Sequence, residues 1–274
     1  MQKQENAWGK RMSLQKQDYL RGDFKRALFT NRFLIGVAGV VFALFYSLHR
    51  MADIASVYTA YMDALYFIPF SVALIFCAVP FAGSFLEDIK HKYIQLLIMR
   101  GSLKKYLMSK IIMIYISSAF SMFFGIMLFI VLVRLQVPWA LEDEYLYSDI
   151  LTKVFWENGH HLIFFAIHAL FIGLMAGNLA ILAAYVSLFW QEELLTIALP
   201  FLVYYLIVYY EYGLFGNVAW LNIKQIFNTS YDVWKHPLYT LLWPVCVSLV
   251  TIVSVGTGIY KKLGRLYDEE KNHL

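Results

Sequence analysis

Charge is scarce in this chain, and that scarcity excludes the soluble classes first. Asp, Glu, Lys and Arg together make 15% of the 274 residues against 60% hydrophobic ones, with a mean hydropathy of +0.58. So few polar groups cannot clothe a soluble globule of this size. The motif G-x-x-x-x-G-K-[ST] does not occur, so no loop is present to cradle nucleotide phosphates, and any ATP hydrolysis belongs to another polypeptide. There are two cysteines, Cys77 and Cys246, both inside apolar runs; they exclude a disulfide framework and read as two buried free thiols. C-x-x-C-H haem attachment and EF-hand spacing are missing too, and no soluble basic module carries base-stacking aromatics, which argues against bound metal, haem or nucleic acid.

What is present is apolar sequence in lengths that fit a bilayer. A span needs about 20 mainly apolar residues to cross about 30 Å of hydrocarbon. Six runs qualify, at 33–49, 64–85, 111–133, 162–189, 194–211 and 238–260. Unbroken apolar runs without period-2 alternation satisfy their backbone as helices rather than as a barrel. The fold expected is an all-α integral membrane protein in one domain, 1–274, with a cytoplasmic leader at 1–32, a six-span bundle at 33–260 and a cytoplasmic tail at 261–274. The apolar region starts only after about 32 polar, basic residues and has no small-residue cleavage site, so the first span is expected to stay as an anchor.

The cations set the orientation. Lys and Arg number eight in 1–32, six in 84–110 and four in 261–274, but one, one and two in 50–63, 136–159 and 213–237. Both termini are therefore expected in the cytoplasm of a multi-pass plasma-membrane protein of a bacterium, and the net charge of +4 follows from this asymmetry. In the leader, Leu20, Phe24, Ala27 and Leu28 recur at i, i+4, i+7 and i+8 among Arg21, Lys25, Arg26 and Arg32. That is the pattern of an amphipathic helix lying at the inner interface, its cations against anionic lipid.

The segment FLEDIKHKYIQLLIMRGSLKKYLMSK, from Phe85 to Lys110, joins the second and third runs. Leu86, Ile89, Tyr93, Leu96 and Leu97 continue a helical face beyond the second span. Gly101 can take the left-handed conformation that ends a helix, and Ser102 can accept N–H bonds at the start of the next. Arg100-Gly101-Ser102 thus reads as a sharp, exposed, basic turn. An ordinary intracellular hairpin has the same periodicity.

This segment and the six-span layout resemble the membrane subunit of type-2 ABC exporter permeases. The resemblance lies in an acidic residue after span two, an Arg beside a small residue, and a Tyr and a Lys leading into span three. It implies a coupling helix that docks on a separate ATPase subunit. Glu87 and Asp88 would be the acidic element, Met99, Arg100, Gly101, Ser102, Leu103, Lys104, Lys105 and Tyr106 the docking turn, and Tyr106 and Lys110 the start of span three. It also implies a second membrane subunit, as homodimer or heterodimer, with ATP and magnesium on the ATPase and no cofactor on this chain. The region before span six would re-enter the outer leaflet and help close the exit, with Trp220, Phe227 and Trp234 as wedges.

Other features have simpler readings. Ala169, Gly173 and Gly177 recur every four residues in the fourth span, a spacing that lets helices approach closely, within the subunit or across a dimer. His161 and His168 share a helix face with His160 nearby, but no third ligand is spaced to make a metal site. Gln191, Glu192 and Glu193 fit a solvated turn better than catalytic carboxylates. Tyr204, Tyr205, Tyr209, Tyr210 and Tyr212 form an interfacial aromatic belt, and Pro69, Pro80, Pro200 and Pro244 interrupt spans two, five and six. The function expected is that of a non-enzymatic permease subunit exporting an amphipathic or hydrophobic substrate such as a peptide, lipid or drug-like molecule. A secondary transporter, or a membrane subunit that recruits an ATPase for signalling, is the alternative. The span centres carry few carboxylates and the halves show no repeat, which weighs against coupled secondary transport.

Overall fold

A computed structural model of the chain describes residues 19–49, 54–66, 69–91, 102–141, 152–210, 218–228 and 236–272, and every regular element among them is helical. In chain order the α-helices are α1 (Tyr19–Leu28), α2 (Asn31–Leu48), α3 (Val57–Tyr66), α4 (Pro69–Ala78), α5 (Ser84–Lys90), α6 (Leu103–Arg134), α7 (His161–Val186), α8 (Glu193–Tyr209), α9 (Ile223–Phe227) and α10 (Pro237–Asn272). A π-helical turn, Thr152–Trp156, precedes α7, and a 3-10 turn, Ala219–Leu221, precedes α9.

Four helices, α2, α6, α7 and α10, are long and apolar enough to cross a membrane, and they coincide with the runs at 33–49, 111–133, 162–189 and 238–260. α6, with 32 residues, extends about 48 Å against about 30 Å of hydrocarbon, so part of it stands outside. The run at 194–211 forms α8, whose 17 residues reach only about 26 Å.

The run at 64–85 is not a single rod. α3 and α4 meet at an 80° bend and count together as a fifth span at most. Pro69, the first residue of α4, lacks the N–H that would extend α3. A turn at 79–83 containing Pro80 then separates α4 from α5, so the helix expected to continue straight past the second span restarts at Ser84. The first N–H groups of α3 are satisfied from outside, Val57 N–H by the Pro138 carbonyl at 2.9 Å and Tyr58 N–H by that of Trp139 at 3.1 Å.

Close backbone approach holds the bundle together. A Cβ on Gly173 would lie 2.7 Å from the Ala119 carbonyl oxygen, and one on Gly177 would lie 2.8 Å from the Tyr115 ring. The small-residue spacing in α7 therefore serves packing on α6 within the subunit. Gly39 and Gly125 play the same part, meeting Phe76 and Val40 where α2, α4 and α6 converge. One apolar core fills the bundle from Val40 through Phe129 and Phe165 to Tyr204 and Phe227. A second gathers at the opposite end around Ala27, Phe81, Phe85, Tyr106, Ile181, Leu188, Ile259 and Leu263. Cys77 is buried, as expected for a thiol in the second run, whereas Cys246 is exposed on α10, because that helix is the least covered of the four long ones.

Candidate functional site

The chemistry concentrates beside the second core, where α1, α5 and the start of α6 meet. α1 presents two faces. Leu20 and Phe24 are exposed, while Asp23 and Ala27, four residues apart, are buried against α6. The stripe of Leu20, Phe24 and Leu28 is thus split: the first two point away from the protein, as an interfacial helix requires, and Leu28 packs partly on the core. Tyr19, one turn before Asp23, sets its ring edge-on to Tyr106 at 6.2 Å, and burial raises its phenol pKa.

Lys110 is the centre of the site. Its side chain is 1% exposed, and a charge so buried survives only with partners. Its Nζ forms ion pairs with Asp88 Oδ2 at 2.8 Å and with Asp23 Oδ1 at 3.7 Å. The carboxylates take their hydrogen bonds elsewhere: Tyr106 Oη donates to Asp88 Oδ2 at 2.8 Å, and Ser109 Oγ donates to Asp23 Oδ2 at 2.7 Å. The ammonium also stands 4.8 Å from the Phe81 ring centroid, within cation–π range.

Arg26 and Arg32 complete the network from the solvent side. Arg26 lies 3.7 Å from Glu87 Oε2 and 3.9 Å from Asp88 Oδ1, and Arg32 donates to Glu87 Oε1. Three cations, Arg26, Arg32 and Lys110, balance three anions, Asp23, Glu87 and Asp88. The network pins α1, the first turn of α2, α5 and α6 to one another, so a displacement of α5 must move α1 and α6 or break buried pairs.

The expected docking turn falls partly outside the described residues: Met99, Arg100 and Gly101 lie beyond them. Ser102 is the extended N-cap of α6, but its hydroxyl makes no capping bond; its carbonyl accepts the Tyr106 N–H at 3.1 Å. Lys104 and Lys105 are exposed, Leu103 is half-buried, and Tyr106 is buried beneath them. Of the outer residues, Trp220 is exposed and its carbonyl accepts from Trp243 Nε1, Phe227 is buried in the main core, and Trp234 lies outside the described residues.

The histidines do not assemble a centre. His161 packs against Trp139 and Trp156, His168 is buried against Tyr61 and Phe164, and no group of three metal-ligating side chains occurs among the described residues. A polar contact inside the bundle, Asn178 Nδ2 to Ser248 Oγ at 3.1 Å, ties α7 to α10.

Sequence reasoning reached Glu87, Asp88, Tyr106 and Lys110 but missed Asp23, Arg26, Arg32 and Ser109 as their partners. Part of a signal was present: Tyr19, Asp23 and Ala27 form a second stripe on α1, which marks a buried face without naming its partners. No family model, curated protein or solved structure matches the chain.

Proposed function

We propose that the chain is the membrane subunit of a type-2 ABC exporter: six spans with cytoplasmic termini, a separate ATPase subunit, and a second membrane subunit. It would move an amphipathic or hydrophobic substrate outward across the plasma membrane. The observation that supports this most is the direct contact of Glu87 and Asp88 with Arg26, Arg32, Tyr106 and Lys110. Four of the residues through which the chain resembles the family, Glu87, Asp88, Tyr106 and Lys110, belong to the network that joins α1, α5 and α6.

In this reading, ATP-driven closure of the ATPases pushes on the turn at 99–106. Lys104 and Lys105 are available to an acidic partner surface, while Tyr106 supports the turn from beneath and is too buried to touch the partner. The load passes through Asp88 and Lys110 into α6, and through Asp23 and Arg26 into α1. α10 leaves Leu242, Leu249, Val250 and Val253 exposed for lipid or for a second membrane subunit.

Charge reversal tests the docking role. Arg100→Glu combined with Lys104→Glu should leave insertion intact and remove the ATPase from the purified complex. Undiminished co-purification with both reversals would overturn the assignment of this turn.

A further inference from the structure

Next to the charge network a pocket of about 440 Å³ opens between α1, α2, α5 and α8, lined by Arg26, Arg32, Glu87, Lys90, His91 and Glu193. Its level in the bundle follows from which residues line it. Arg32 is the second residue of α2, Lys90 the last of α5 and Glu193 the first of α8. Arg32 and Glu193 stand where apolar helices end, the depth at which lipid headgroups lie, and Lys90 ends the short charged helix beside them.

Exposed apolar side chains stand close in sequence to the lining residues, alongside the exposed Gln191 and Glu192. Phe29, Leu34 and Leu194, each within three residues of a lining residue, are 75%, 66% and 81% exposed. A charged cavity at a helix-end level, with exposed apolar side chains a few residues along the chain from its lining, suits an amphiphile whose head enters and whose chains stay outside. The charges narrow the head further. Glu87 is engaged by Arg26 and Arg32, while Lys90 and Glu193 bring opposite signs to the same cavity. That mixture suits a zwitterion better than a simple anion.

We propose that this pocket is a phospholipid headgroup site selective for a phosphodiester that carries a primary amine. Lys90 takes the phosphate, and Glu193 accepts hydrogen bonds from the ammonium. The acyl chains lie over exposed apolar side chains such as Leu194, adjacent to Glu193. A quaternary amine has no N–H to give Glu193, and a glycerol headgroup has no cation for it. The proposal stands independently of the ATPase reading, since it needs only a membrane around the chain.

The test uses the full chain purified in detergent and reconstituted into nanodiscs, with lipid binding read by native mass spectrometry and by titration of labelled lipid. Phosphatidylethanolamine should bind about fivefold or more tightly than phosphatidylcholine or phosphatidylglycerol, corresponding to one near-surface charge contact. Glu193→Gln should erase the preference over phosphatidylcholine while leaving phosphatidylglycerol binding unchanged. Lys90→Gln should weaken all three lipids about fivefold. Both residues are exposed, and an unchanged lipid-free melting temperature serves as the folding control. Equal binding of the three lipids by the parent chain, or a preference that survives Glu193→Gln, would overturn the proposal. Competition by inorganic phosphate at the lipid's own concentration would also overturn it, in favour of a free-anion site.

Discussion

Replacing Lys110 with Met probes the charge network most sharply. The change keeps an unbranched apolar side chain one atom shorter but removes the buried cation between Asp23 and Asp88. At 2.8 Å the attraction to Asp88 is about 6 kcal/mol before desolvation, for an effective dielectric constant of about 20. Burying the ammonium takes back a large part of that sum. What Lys110→Met exposes is the penalty of two buried carboxylates that have lost their shared cation. Asp88 keeps Tyr106 and a distant Arg26, and Asp23 keeps Ser109. Removing one member of a buried pair costs about 3–5 kcal/mol, and the residual hydrogen bonds place this case at the lower part of that range. Asp88→Asn in the Lys110→Met background should recover part of the loss, because it removes the nearer of the two orphaned charges. The assay is reversible denaturation of the purified chain in mixed micelles, followed by tryptophan fluorescence and run as a double-mutant cycle. A single variant within about 0.5 kcal/mol of the parent, or a strictly additive pair, would refute a coupled buried network.

Gly173→Val should destabilise the bundle by about 1–3 kcal/mol, since the new side chain meets the Ala119 backbone rather than a flexible side chain, and a thermal melt in detergent reads it. Ser248→Ala should leave the buried Asn178 amide without its acceptor and cost about 1–3 kcal/mol, whereas Asn178→Leu combined with Ser248→Ala should cost less than the sum of the single changes. In detergent an apolar maleimide should label Cys246 and spare Cys77 until the protein unfolds, as peptide mass spectrometry can establish; equal labelling would contradict the packing of α4.

How much of this could be read in the sequence varied with the physics involved. Hydropathy located α2, α6, α7 and α10, because twenty apolar residues carry a strong signal whatever their neighbours. It could not see that Pro69 and Pro80 divide the 64–85 run, since an apolar stretch has the same hydropathy whether straight or bent. The spacing of Gly173 and Gly177 announced a close helix contact but not its partner, which Ala119 and Tyr115 supply. On α1 the apolar stripe of Leu20 and Phe24 drew attention away from Asp23, whose role depends on Lys110, 87 positions further along the chain. Long-range ion pairs leave no periodic trace. Lys110 became legible only through the resemblance, because one lysine at the edge of an apolar run also fits an ordinary snorkelling residue. The pocket beside Glu193 was invisible for the same reason: its lining residues come from four helices and share no motif.

The central claim is that this chain works as the membrane half of an ATP-driven exporter. The most direct measurement is to purify it in mild detergent from its native membrane, identify its partners by mass spectrometry and assay the assembly for ATP hydrolysis. The account predicts a co-purifying ATPase in equal amount, with hydrolysis that is lost together with the partner when Arg100 and Lys104 are reversed. A chain that purifies without any nucleotide-binding partner and shows no hydrolysis would contradict it.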